Sequence, residues 1–186
     1  MVDEYTHALE NANRKLELLS NTDGLTGVAN RRSFDHMLTE EWNRARRAGT
    51  SLAVVMLDVD YFKHFNDHFG HLAGDDCLRA LAQALVKAGR RAGELVARYG
   101  GEEFVVLLSG MDMADALDAA QHMQREVWSL ALPHAETAPG IVTFSLSVAS
   151  LVPSEQHCPE DLVRQADVVL YRAKEAGRNC LQSATN

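Results

Sequence analysis

The sequence predicts an α/β protein of the α+β kind, a layered sandwich with helices covering a central, mostly antiparallel sheet. Three observations predict it. "SLAVVMLDVD" is a continuous apolar run ending in acids, as a strand buried on both faces would be. "ELVARY" and "FVVLL" flank Gly100 and Gly101, the pattern of a β-hairpin. Between the strands, apolar residues recur at helical spacing, as at Cys77, Leu78, Leu81 and Leu85.

The elements follow in order. Tyr5, Leu9, Ala12, Leu16 and Leu19 alternate in steps of four and three, the seam of a coiled coil. Residues 1–20 are therefore expected to be an N-terminal helix, either a signalling coiled coil that pairs two subunits or an amphipathic helix packed on its own domain. "SNTDGLTG" breaks the pattern as a linker would, and residues 21–186 form the main domain. A helix is expected from Arg31 to Ala48, ended by Gly49. The apolar run supplies a strand with Asp58 and Asp60 at its C-terminal end. Helix Gly74–Ala88, the Gly-Gly hairpin, helix Asp112–Leu130, strand "IVTFSLSVASL" and helix Pro159–Ala176 follow, with Gly177 as the stop.

The bulk numbers exclude several classes. A chain of 186 residues, 46% hydrophobic, is one domain with room for a core. Its net charge of -8 argues against nucleic acid as a partner. The longest apolar run of the first half, "LAVVML", is far too short to span a bilayer, and the polar start "MVDEYTHALE" is no signal peptide. Three scattered cysteines without a CxxC pair suggest reduced thiols. The expectation is a cytoplasmic protein without membrane contact.

Two acidic sites need an explanation: Asp58 and Asp60 at a strand end, and Glu102 and Glu103 on the hairpin turn. If hairpin and strand are neighbours, these carboxylates converge, and they stay ionised together only beside a cation. Hard divalent ions such as Mg²⁺ take one or two carboxylates plus waters and substrate phosphates. Such a site suits metal-assisted phosphoryl or nucleotidyl transfer. An EF-hand from Asp58 fails, because Phe62, Lys63 and Phe69 stand where a ligand, Gly and Glu are needed. A zinc site from His64, His68 and His71 has the spacing only if that stretch is helical; polar loop histidines are the plainer reading.

Four blocks, "DGLTGVANRR", "LDVDYFKHFNDHFGHLAGDD", "RYGGEEF" and "ADVVLYRAKEAGRN", stand in order at family spacing. Through them the chain resembles the GGDEF family, the diguanylate cyclases, from about Thr22 to Asn179. The resemblance implies a ferredoxin-like palm domain similar to that of nucleotidyl cyclases. It implies condensation of two GTP into cyclic di-GMP, with release of two pyrophosphates, at the interface of a homodimer. Mg²⁺, or Mn²⁺, would be held by Asp58, the carbonyl of Val59 and Glu102. Glu102 would help deprotonate the attacking hydroxyl, with Glu103 assisting the metal site. Asp60 is either a further site acid or a structural one.

For GTP, the resemblance implies phosphate contacts from the amides of Tyr61 and Phe62, from Lys63, and from Lys174 and Arg178, read as four apart on one helix face. Gly100 and Gly101 would let the backbone approach the nucleotide. Asn66 and Asp75 would read guanine, whose paired donors suit a carboxylate. Adenine would leave Asp75 unsatisfied, so GTP is expected over ATP.

Two departures stand out. The inhibitory product site of many members, RxxD, reads "RAGE" here, with Arg91 present and Glu94 in place of Asp. Cyclic di-GMP bound there as an inhibitor is expected to bind weakly or incompletely. Ser147 stands where the family usually has Gly, and a packing adjustment is expected. The alternatives to an active cyclase are a catalytically silent receptor domain binding GTP or cyclic di-GMP, and a cyclase with another nucleotide product. Twenty preceding residues are too few for a sensor, so a chain that is a fragment implies an upstream sensor domain.

Overall fold

A computed structural model describes Leu16, residues 21–89 and residues 94–184. The expected coiled-coil seam, Leu16 apart, lies outside the described residues, as does Arg91. The elements are α1 (Arg31–Ala48), β1 (Leu52–Val59), α2 (Phe62–Phe69), α3 (His71–Ala88), β2 (Glu94–Arg98), β3 (Glu103–Ser109), α4 (Met113–Ser129), β4 (Phe144–Leu151), α5 (Pro159–Glu175) and β5 (Leu181–Ser183). The sheet order is β2-β3-β1-β4-β5. All pairs are antiparallel except β4 with β5. The first four strands with their crossover helices make the split βαβ arrangement of ferredoxin-like sheets.

β1 is buried along its whole length, as its unbroken apolar run predicts. Strand alternation divides its side chains between two cores. Val55, Leu57 and Val59 face α2, α3 and α4, meeting Phe65, Leu81, Leu85 and Met123. Leu52, Val54 and Met56 face α1 and α5, meeting Phe34, Trp42, Leu162 and Leu170. Helix α1 starts where Asn30 accepts from the Ser33 amide and stops at Gly49, whose φ of 67° is left-handed.

The structure corrects four details. Phe62–Phe69 is a helix in its own right, and α3 begins at His71 rather than Gly74. β4 starts at Phe144, because residues 131–143 form a compact loop closed by a bridge between Pro133 and Ile141. A short parallel strand, β5, follows α5. Helix α5 ends at Glu175, so Lys174 and Arg178 do not share a helix face; Arg178 lies beyond it with a left-handed φ of 64°.

Candidate functional site

β1 and β3 run antiparallel with Asp58 opposite Glu103, so Asp58 meets the acids of the hairpin, whereas the Asp60 carboxylate is bonded to Thr143, Ser145 and Asn179 instead. Asp58 shares the alternation of Met56 and therefore points to the α5 side of the sheet. There Lys174 Nζ lies 2.8 Å from Asp58 Oδ2. Asp58 is buried. Burial pushes its carboxyl up to about 6; the Lys174 ammonium opposes this, and the charges of Glu102 and Glu103 add to the rise. The Val59 amide donates to the Glu102 carbonyl at 3.3 Å, tying the turn to the strand end.

On the other side of this edge is a cleft of about 460 Å³ lined by Phe62, Lys63, Asn66, Asp75, Gly101 and Glu102, among others. Six of the predicted residues thus share one concavity. Asp58, Glu103 and Lys174 gather beside it, and Glu102 links the two groups. A larger cavity, about 580 Å³, opens between α1 and α5 around Tyr99 and holds none of the predicted residues. Among the described residues, no three His, Cys, Asp or Glu side chains cluster as a metal cage. His64, His68 and His71 form no such group. This leaves open a hard-ion site that mixes carboxylates, a main-chain carbonyl and substrate oxygens.

Asn66 Oδ1 is buried with no partner. It occupies the space that a Cβ on Gly74 would fill. An orphaned buried amide oxygen is costly unless a ligand meets it. Gly101 has no positive φ, and a Cβ there would meet nothing within 4 Å, so no internal contact demands a glycine at this exposed position. At Gly100 a Cβ would meet Glu103 Oε2 at 2.8 Å, because that side chain folds back over the turn.

Several supporting residues carried no signal of their role in the sequence. Arg98 donates from Nε and Nη2 to the Gly101 carbonyl, at 3.0 and 2.8 Å, and from Nη1 to Asp23 at 3.1 Å. Burial pushes the Asp23 carboxyl up, but hydrogen bonds from Thr26 and Arg98 outweigh it and hold it below its ordinary value. Asp60, an open case in the sequence, is structural. It is buried and accepts from Thr143 Oγ1 and Ser145 Oγ, both at 2.6 Å, and from the Asn179 amide at 2.9 Å. Tyr61 begins α2 with a left-handed φ of 54°. The Arg178 guanidinium lies 4.7 Å from the centre of its ring, clear of the 460 Å³ cleft's lining. Ser147 is fully buried, and its hydroxyl donates to the Ala166 carbonyl of α5 at 2.7 Å. Glu94 opens β2 with its Oε2 over Gly89.

Residues 20–180 match the family described as diguanylate cyclase, GGDEF domain. A probable diguanylate cyclase, DgcC of Escherichia coli strain K12, is 37% identical over 89% of this chain and 44% of its own length. The response regulator PleD of Caulobacter vibrioides is 39% identical over 95% of this chain and 39% of its own length. The chain thus spans less than half the length of these curated relatives. Among solved structures, the coiled coil and GGDEF domain of DgcB from Caulobacter crescentus, in complex with c-di-GMP, superimposes with a TM-score of 0.88. Its identity is 29%, covering 98% of this chain and 95% of that one. The active GGEEF domain of a diguanylate cyclase from Vibrio cholerae gives a TM-score of 0.75 at 29% identity, over 86% of this chain and 99% of that one.

Proposed function

The chain belongs to the GGDEF domain family, and from that premise we propose that it is a diguanylate cyclase. Each of two subunits holds one GTP. The 3′-hydroxyl of one nucleotide attacks the α-phosphorus of the other; a new P–O bond forms, the bond to pyrophosphate breaks, and the hydroxyl proton passes to Glu102. The second transfer closes cyclic di-GMP and releases the second pyrophosphate. Facing the two nucleotides towards each other makes the attack intramolecular within the dimer.

The observation that carries this reading is the intact Gly100–Phe104 turn, set against Asp58 and opening on the cleft that holds Asn66 and Asp75. The orphaned Oδ1 of Asn66 is supplied with a partner by a guanine donor, and Asp75 accepts from the adjacent donors. The donors beside the cleft fit Mg²⁺ or Mn²⁺: Asp58, the Val59 carbonyl and Glu102 are all oxygen ligands, and a buried carboxyl lifted to about 6 beside two further carboxylates is stabilised by a cation. When bound, the ion neutralises triphosphate charge. Lys174, paired here with Asp58, would be free to bind phosphate once Asp58 served as a metal ligand. Lys63 and the amides of Tyr61 and Phe62 complete the phosphate contacts. Association through the N-terminal residues belongs to the same reading, as do weak product binding at Arg91 and Glu94 and, if the chain is a fragment, control by an upstream sensor domain.

The test is to incubate the purified chain with GTP and Mg²⁺ and resolve the products chromatographically. Cyclic di-GMP with two pyrophosphates, abolished by Glu102→Ala, is expected. Nucleotide binding without turnover would replace the cyclase by a silent receptor.

A further inference from the structure

We infer that His134 is a positioning residue that aims the Tyr61 and Phe62 amides at the nucleotide phosphates. This rests on the phosphate contacts of the proposed function. His134 sits in the loop 131–143, distant in sequence from every block that identifies the family. It is 1% exposed. Its loop is built to hold it: the His134 amide donates to the Gly140 carbonyl, the Val142 amide to the Leu132 carbonyl, and Thr137 Oγ1 to the Ile141 carbonyl at 2.6 Å.

The imidazole's bonds fix its tautomer. The Glu136 amide, at 3.4 Å, has only a proton to offer, so Nδ1 accepts. Nε2 lies 3.2 Å from the Asp60 carbonyl oxygen and 3.1 Å from that of Tyr61, and carbonyls only accept. Nε2 therefore carries the proton and shares it between two consecutive carbonyls.

Two consecutive carbonyls mean two consecutive peptide planes. In a trans peptide the N–H points opposite to the C=O, and among the described residues no peptide is cis. The Asp60 carbonyl shares its plane with the Tyr61 amide, and the Tyr61 carbonyl with the Phe62 amide. With the Asp60 oxygen drawn inward by His134, and the Tyr61 oxygen held by His134 together with the Phe65 amide that donates to it at 3.0 Å, both N–H groups turn outward. These amides open α2, where an α-helix supplies no internal acceptor. The arrangement also holds Tyr61 at its left-handed φ of 54°, a conformation a non-glycine residue keeps only when its surroundings impose it. The loop adds further ties to the same bend: Thr143 Oγ1 donates to Asp60 Oδ2, and the Asp60 amide donates to the Thr143 carbonyl at 2.9 Å.

The test compares two probes on the full chain with Mg²⁺ present. One is 3′-deoxy-GTP, which has the triphosphate but no attacking hydroxyl; the other is guanosine, which lacks phosphate. His134→Met fills the space without a donor, and His134→Gln restores an N–H near Nε2. His134→Met is expected to weaken 3′-deoxy-GTP about tenfold, the loss of aimed hydrogen bonds to a charged group, and to leave guanosine unchanged. His134→Gln is expected to recover most of that loss. A folded His134→Met that binds both probes as the wild type does, or loses both equally, overturns the inference. Imidazole ¹⁵N shifts of the wild type give a check that needs no variant: a proton on Nδ1 would overturn it as well. If the wild type binds 3′-deoxy-GTP no better than guanosine, the phosphate site itself fails and the inference falls with it.

Discussion

Asp58 is the residue whose environment bears most directly on the role proposed for it. Its carboxyl is lifted from 3.8 to about 6, first by burial, against the pull of Lys174. Between those values the folded protein holds a proton that the unfolded chain has released. Its contribution to stability is therefore full below 3.8 and is lost as pH rises through about 6. Without divalent ions, urea midpoints should fall across that window, and Asp58→Asn should flatten the slope; an unchanged slope would mean that Asp58 is not the titrating group. Ser147 gives a second residue-scale prediction. Ser147→Gly removes the bond to Ala166 and should cost about 1 kcal/mol in unfolding, with turnover retained. Asp58, Asn66, Asp75 and Glu102 could be singled out as candidates because they stand in quotable blocks, and the structure gathers them around one end of the sheet. His134 was not legible, because its role depends on carbonyls more than seventy positions away. Nor was the duty of Asp60, whose donors come from Thr143, Ser145 and Asn179.

Elements place these residues. Helices α2 and α3 meet where Gly74 leaves room for the Asn66 amide. Gly74→Ala should displace that amide and weaken GTP at least about tenfold, with little change in guanine-independent phosphate binding; titration with GTP and with tripolyphosphate separates the two. The signature turn is held by Arg98, clamped between the Gly101 carbonyl and Asp23. Asp23→Ala should loosen that clamp and lower turnover more than it lowers stability, read from initial rates and melting curves. The long elements were legible from apolar periodicity. The short ones were not. Helix α2 is eight residues of mixed histidines and phenylalanines ended by Gly70, and it reads as a loop until Phe62 and Phe65 are seen to be buried. β5, at three residues, carries no pattern and exists because β4 offers it a parallel edge.

At the scale of the whole molecule, one sheet separates two helical layers, and the acids and the cleft lie at the same end of it. No helix among the described residues is long and apolar enough to cross a membrane. The layered fold and the mostly antiparallel sheet were legible because β1 is apolar throughout and the hairpin carries its own glycine punctuation. The exact strand order was beyond periodicity, which says which strands are buried and not which ones are neighbours. The proposed reaction places one nucleotide on each subunit, so on that proposal product forms only when two chains meet. The measurement that tests this most directly is the initial rate of cyclic di-GMP formation at saturating GTP and Mg²⁺ across a wide range of protein concentration. The rate per subunit should rise with concentration and level off as the dimer fills. A rate per subunit independent of concentration in a demonstrably monomeric protein would contradict the account, as would the absence of product where GTP is bound and the dimer is formed.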